Sequence, residues 1–462
     1  MVSLNVAVIL DAGNGSKLWP YAEVRSKGMV NISGKPMLWH TAEALRSVGV
    51  QHVIIVSARF AQEVRNYFRQ DADITVISEG APKGTAFSLL AAQHAVMAAL
   101  GEDTSFLTLY SDTVLSASDI LALQNASDGV ATVASIAPLP GRSNDRIVCN
   151  VENGNIAEIW GHPREEGSHF FCGFVFGKEI FSKLTMNSGR FTNTEVGMMS
   201  PMEGYLEMTL ADMLADGEKI VAAVAQESIV DVDKPWQILE ANAVLNRRRC
   251  GALTENVLAE DAEIHPSAVL NGFVSLGRGS RIGRNVIIEG NVIIGEGSVV
   301  ENGAILRGNV VIGDDAKVLN YCLVGDYSTV GNHCYVGHGA ELSGILFDTS
   351  YLYHYMEFYG IVGEHTDLGA ATVCGTLRFD DGVTRQRTKG RGEEAHLFSD
   401  AIFLGDYCRT GVNAILMPGV KVGIYSVVGA GVTLMHDLED RTLLYAEQTQ
   451  VKKAWGPEKY GW

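Results

Sequence analysis

Residues 10–18 read Leu-Asp-Ala-Gly-Asn-Gly-Ser-Lys-Leu, straight after the aliphatic run Val6–Leu10. Two glycines in that place let backbone N–H groups approach a phosphate chain. Leu18 stands where a dinucleotide fingerprint has its third glycine, so NAD is disfavoured, and no Walker A sequence occurs. By itself, Gly13-Asn14-Gly15 serves equally well as a plain tight turn. Lys17 and Lys27 follow the loop, and alone they would be solvated surface charges. Asp112 closes the run that begins at Ser105, and Asp231 opens the segment Asp231-Val232-Asp233-Lys234-Pro235. Isolated aspartates at strand ends usually cap loops. Phosphate chemistry is what these residue types could do together, provided that the fold gathers them.

The elements that must gather them fall into two halves. Over residues 1–234, short aliphatic runs (Val6–Leu10, Val53–Val56, Ile74–Ile77, Ser105–Leu109) alternate with amphipathic stretches such as Met37–Ser47 and Ala86–Ala99. That is the βαβ pattern of a doubly wound α/β sheet. A linker region at 235–260 opens with a helix expected over Pro235–Arg249, with Pro at its start. From Ile264 to Leu342 every sixth residue is Ile, Leu or Val, often followed by Gly. Period six fits neither a helix nor a hairpin and is the hexapeptide signature of a parallel β-helix, placed at 261–440 with a tail at 441–462. The hexads resume at Val362, Leu368 and Cys374, and again from Leu404 to Leu434. The interruptions, aromatic Ser343–Ile361 and basic Arg378–Ser399, are expected to be loops ejected from the solenoid, where function usually resides.

Composition narrows the classes. A net charge of −18 argues against a nucleic-acid or membrane surface, leaving anionic small molecules to a local cationic pocket. Seven widely spaced cysteines without a CxxC pair disfavour zinc or a disulfide framework and suggest a reducing, cytoplasmic setting. No run reaches eighteen apolar residues, and the N-terminus reads as a first strand.

Residues Leu10 to Leu38, ending in Gly34-Lys35-Pro36-Met37-Leu38, resemble the signature of sugar-1-phosphate nucleotidylyltransferases. Lys83-Gly84-Thr85-Ala86, Tyr110-Ser111-Asp112, Cys172-Gly173-Phe174 and Asp231 to Asn242 follow in that family's order. The resemblance implies Mg²⁺ held by Asp112 and Asp231, and Lys17 on the β/γ-phosphates of a nucleoside triphosphate, UTP or dTTP. It implies Lys27 on the attacking sugar 1-phosphate. Leu10, Ala12, Gly13, Gly15, Gly84, Thr85 and Gly173 would then contact nucleotide and sugar. Three positions depart from the pattern. Lys17 replaces an Arg, Asp11 replaces a small residue and would repel a polyphosphate, and Gly161-His162-Pro163 replaces Glu-Lys-Pro.

The repeat half resembles the acetyltransferase half of bifunctional enzymes that make UDP-N-acetylglucosamine, archaeal forms above all. The matching runs are Val330-Gly331-Asn332-His333, Gly369-Ala370-Ala371-Thr372, Leu377-Arg378-Phe379-Asp380, Lys389-Gly390-Arg391, Thr410-Gly411-Val412-Asn413 and Met417-Pro418-Gly419-Val420. This implies a left-handed prism and a homotrimer. It also implies His354 as the base that deprotonates a sugar amine, and Ala370 and Ala430 at acetyl-CoA. Ser343 and Thr376 stand where the family has Lys and Asn. Two other readings stay open: nucleotidyl transfer alone with the prism as trimer scaffold, or a non-catalytic protein that binds an NDP-sugar.

Overall fold

The computed structural model describes residues 4–139, 146–160, 167–187, 189, 203–227 and 229–460. Nine strands of the first half form one sheet. Val6–Asp11 lies inside it, parallel to His52–Ser57 on one side and to Ser105–Tyr110 on the other. Strand alternation divides this run cleanly. Val6, Val8 and Leu10 enter one core with the helices Thr85–Ala91 and Gln93–Leu100. Ala7 and Ile9 enter the opposite core with Met37–Ser47 and Ala117–Ala126. Helices therefore cover both faces. The chain leaves Val6–Asp11 toward one neighbour and later returns to the other, so the crevice at its carboxyl end is a topological switch point. Beyond Ser105–Tyr110 the sheet turns mixed, because His169–Gly177 runs antiparallel to that strand and to Thr132–Pro138. The amphipathic stretch expected over Ala86–Ala99 is two helices, broken where the Ala92 N–H donates to the Leu89 carbonyl at 3.0 Å.

The helix Pro235–Gly251 starts at its proline. It is more than a tether: Asn246 Nδ2 donates to the Ser328 carbonyl (3.2 Å) and Asn242 Nδ2 to the Tyr327 carbonyl (2.7 Å), both in the repeat half.

Parallel coils then run from Val257–Leu258 to Leu443–Leu444. The hexad aliphatics from Leu276 to Leu342 are all buried in one continuous core. Successive coils pair residues 18 apart, three hexads per turn, as in Arg284 N–H to Asn302 Oδ1.

Ser343–Ile361 departs from expectation, because it is not ejected. Here the spacing between coils falls to 16 residues, as in Asn332 N–H to Asp348 Oδ1. Glu341–Leu346 and Glu357–Val362 each cross what would be a corner without turning, and the inward positions become Leu346, Leu352, Phe358 and Val362. Gly344 and Gly360, both at φ +135°, permit the passage. The outward residues Ile345, Ile361 and Phe403 sit in register and pack into a core shared with Leu18 and Tyr21 of the first half and Trp236 of the helix Pro235–Gly251. The aromatic interruption is therefore the face on which the two halves meet. Arg378–Ser399 is ejected as expected and contains the hairpin Arg385–Thr388/Arg391–Glu394.

Candidate active site

At the switch point a cleft of about 410 Å³ is lined by Leu10, Ala12, the glycine loop, Lys17, Lys27, Gly84, Thr85, Asp112 and Asp233 among others. Most of the sequence-predicted nucleotide residues are thus brought together. Gly15 adopts φ +60°, and a Cβ there would lie 2.8 Å from that of Ala22. Around Gly13 the space is open. Gly84, at φ +96°, faces the Gly204 carbonyl so closely that a Cβ would collide with it. Thr85 Oγ1 accepts from the Leu206 N–H at 2.9 Å, which ties this loop to the far wall.

The acidic floor is assembled by backbone pairing. Val232 N–H donates to the Asp112 carbonyl (3.0 Å), and Asp231 bridges antiparallel to Thr113. In an extended segment residues i and i+2 point the same way, so Asp231 and Asp233 both face Asp112. Carboxylate oxygens of the three lie within 4.8 Å of one another. Lys27 Nζ donates to Asp112 Oδ2 at 2.6 Å and to Asp233 Oδ1 at 2.5 Å, while Lys17 Nζ stands 3.8 Å from Asp233 Oδ2. Arg146 Nε approaches Asp231 at 3.8 Å. Burial disfavours the Lys27 ammonium, but Asp112, Asp233 and Asp231 outweigh it and raise its pKa. Burial, then the Asp233 and Asp112 carboxylates, push the Asp231 carboxyl upward. The three converging carboxylates are an oxygen donor set that suits a hard divalent ion.

Asp233 was missed in the sequence reading as a member of this site. The signal was its spacing of two from Asp231 in an extended stretch before a proline. Asp11 also differs from expectation. It is buried, and its oxygens accept from Gly28 N–H (3.0 Å) and Ser57 Oγ (3.1 Å), so it braces the segment carrying Lys27 and does not line the cleft. Burial raises its pKa to about 6, with hydrogen bonds from Ser111, Ser26, Gly28 and Ser57 opposing. Leu18 is buried in the core between the halves, which explains why no third glycine is needed. Gly173 is buried beside Leu109 and is not among the cleft-lining residues. Gly161-His162-Pro163 lies outside the described residues.

On the prism, His354 lies at an exposed corner of one of the shortened coils, not on an ejected loop. Its carbonyl accepts from the Ala371 N–H (3.1 Å), and the Ala370 carbonyl accepts from Asn413 (3.0 Å). One coil further, the Val412 carbonyl accepts from Gly431 (3.0 Å), beside Ala430. His354, Ala370 and Ala430 thus share one edge. The His354 ring meets Tyr355 edge-on at 5.6 Å. Among the described residues, no helix is long and apolar enough to cross a membrane.

Residues 6–186 match the nucleotidyl transferase family, and residues 253–378 match the GMPPB C-terminal domain. The first half is a nucleotidyl transferase domain. The whole chain aligns with proteins that pair such a domain with a second one. It is 28% identical over 448 residues to the "Bifunctional protein GlmU" of Methanocaldococcus jannaschii, covering 95% of this chain and 97% of that one. Identity to the protein of the same name from Methanococcus maripaludis is 28% over 457 residues, covering 96% and 98%. A "Bifunctional sugar-1-phosphate nucleotidylyltransferase/acetyltransferase" of Sulfurisphaera tokodaii is 24% identical over 456 residues, covering 94% and 98%. The chain is thus a homologue of these bifunctional proteins along nearly its full length. In the nucleotidyl transferase domain, the glycine loop, Asp112 and Asp233 line one cleft, and Asp231 joins the two aspartates in a single carboxylate cluster.

Proposed function

We propose that the protein transfers a nucleotidyl group from UTP or dTTP to a sugar 1-phosphate, releasing pyrophosphate. The observation that carries this is the meeting of Lys17, Lys27 and three aspartates at the mouth of a glycine loop. The sugar phosphate oxygen attacks the α-phosphorus, a new P–O bond forms, and the bond to the β-phosphate breaks. Negative charge grows on the non-bridging oxygens and on the leaving group, so fixed cations do most of the work. The N–H groups of the glycine loop approach the triphosphate, and Lys17 neutralises its β/γ end. Lys27, held by Asp112 and Asp233, lies where it can turn to the attacking phosphate. Asp112, Asp231 and Asp233 would hold Mg²⁺, which when bound supplies charge neutralisation at the phosphates.

The second activity is acetyl transfer from acetyl-CoA to an amino-sugar 1-phosphate. His354 would take the amine proton, and Ala370 and Ala430, on the same edge, would contact the coenzyme. A homotrimer through the prism would supply the neighbouring wall.

The test is pyrophosphate release by the purified protein with Mg²⁺, across four nucleoside triphosphates and five sugar 1-phosphates. One productive pair, abolished by Asp112→Ala, is the expected result. A folded protein silent across the panel would sink the reading. For the second activity, coenzyme A release lost in His354→Ala supports the assignment, and unchanged release removes it.

A further inference from the structure

The ejected hairpin has a contact that the acetyltransferase reading leaves unused. Glu393, on its second strand, is ion-paired with Lys234 of the nucleotidyl transferase domain. Lys234 is buried and directly follows Asp233, and its ammonium lies 5.5 Å from the Trp236 ring centre. The strap Asp231–Lys234 is also held through its backbone. Val232 N–H donates to the Asp112 carbonyl, and the Asp233 and Lys234 N–H groups both donate to Gln237 Oε1 at 2.9 Å. These contacts are made within the first half and to the helix Pro235–Gly251 that follows it. Glu393 adds a hold from the repeat half.

The hairpin is itself rigidly seated. Gln386 is directly opposite Glu393 in the ladder and is fully buried. Its Nε2 donates to the Ser399 and Ala401 carbonyls, both at 2.9 Å. Buried Lys421, on a coil of the prism, donates to Gln386 Oε1 (2.9 Å) and to the Arg387 carbonyl (2.8 Å). A physical path therefore runs from the prism through Lys421 to Gln386, across the ladder to Glu393, through its ion pair to Lys234, and along the chain to Asp233 and its partner Lys27.

We infer that Glu393 and Lys234 are positioning residues for nucleotidyl transfer: through them the β-helix hairpin holds the Asp231–Asp233 strap at the spacing its carboxylates need. The inference rests on the function proposed above. Partners that orient metal-binding carboxylates commonly change metal affinity by about tenfold or more when removed.

The test compares wild type with Glu393→Gln by direct Mn²⁺ binding, read from the electron paramagnetic resonance of the free ion, and by hydrogen exchange. Expected are about tenfold weaker Mn²⁺ binding and about tenfold faster exchange at the amides of Val232, Asp233 and Lys234. Amides of the helix beyond Gln237 should keep their rates. Lys234→Met should match Glu393→Gln, the double variant should be no worse than the worse single, and Lys234→Arg should restore wild-type affinity. Should Glu393→Gln not fold, Lys234→Met reads the same pair from its other side. Unchanged Mn²⁺ affinity and unchanged strap exchange would overturn the inference. Wild-type pyrophosphate release, measured alongside, separates the two claims. A silent wild type whose strap still loosens in Glu393→Gln refutes the transferase reading and leaves the positioning role intact.

Discussion

Lys17 and Asp11 show how single positions act in this cleft and behind it. Lys17 offers a point charge where an arginine would offer a planar fork. Lys17→Arg should preserve the fold and raise kcat/KM for the triphosphate several-fold, and Lys17→Ala should lower it by about 10²–10³. Steady-state pyrophosphate release on both variants checks this. Asp11 makes a separate prediction through pH. Its folded pKa, about 6, lies above the ordinary 3.8. Below pH 3.8 its contribution to stability is fully present, and it is lost as pH rises through 6. At pH 8 the buried carboxylate therefore costs on the order of 2–3 kcal/mol. Asn can still accept from Gly28 and can donate to a serine hydroxyl. Asp11→Asn should melt higher than wild type at pH 8, and the gain should vanish near pH 4. A gain independent of pH would count against the burial argument. The sequence shows that Asp11 is acidic but not which way it points, because orientation depends on Gly28 and Ser57, brought in from distant segments.

At the level of elements, legibility follows the range of the interaction that sets each one. The helix Met37–Ser47 and the buried hexads declare themselves through local periodicity, and both stand where the pattern puts them. The acidic floor was half legible. Asp112 and Asp231 follow from motif order, whereas Asp233 joins them because Asp231 bridges to Thr113 and Val232 to Asp112, which aims the residue two further on at the same place. The segment Ser343–Ile361 misleads because losing two residues per coil destroys the period while keeping the coil. Gly344 and Gly360 are the cost of that economy. A Cβ at Gly360 would collide with the Ile402 carbonyl, and φ +135° is left to glycine. Gly360→Ala should destabilise the prism by more than about 3 kcal/mol, read as a fall in the urea midpoint. A change under about 0.5 kcal/mol would mean that the strand relaxes around the methyl group. The ejected hairpin differs, since a few side chains seat it, and buried Lys421 is the one that reaches it from a coil of the prism. Lys421→Met should leave the coils intact and expose 385–394 to proteolysis, which limited digestion would show.

On the scale of the whole molecule, the question is whether the two halves unfold as one. Their shared core joins Leu18, Tyr21 and Trp236 to Ile345, Phe347 and Phe403, and the Tyr21 hydroxyl donates to the Ile361 carbonyl at 3.1 Å. Beside it, buried Arg25 is ion-paired with Asp406, which is also buried, and stands 3.1 Å from Glu364. Its guanidinium lies 5.7 Å from the Phe347 ring centre. None of this was visible in the sequence, because Arg25 and Asp406 are separated by almost the whole chain and neither belongs to a periodic pattern. Burial pushes the Glu364 and Asp406 carboxyls upward, with Arg25 opposing in both cases. Removing the guanidinium takes away the cation that offsets the burial of the Asp406 and Glu364 carboxyls. Breaking a buried pair from one side costs about 3–5 kcal/mol. The cost falls on the junction, since neither the sheet nor the coils lose a contact of their own. Arg25→Met should therefore split a single calorimetric transition into two, with the prism melting last, and Asp406→Asn together with Glu364→Gln should partly restore one transition. If Arg25→Met still melts as one unit with wild-type enthalpy, the apolar core around Tyr21 and Phe347 is sufficient to couple the halves.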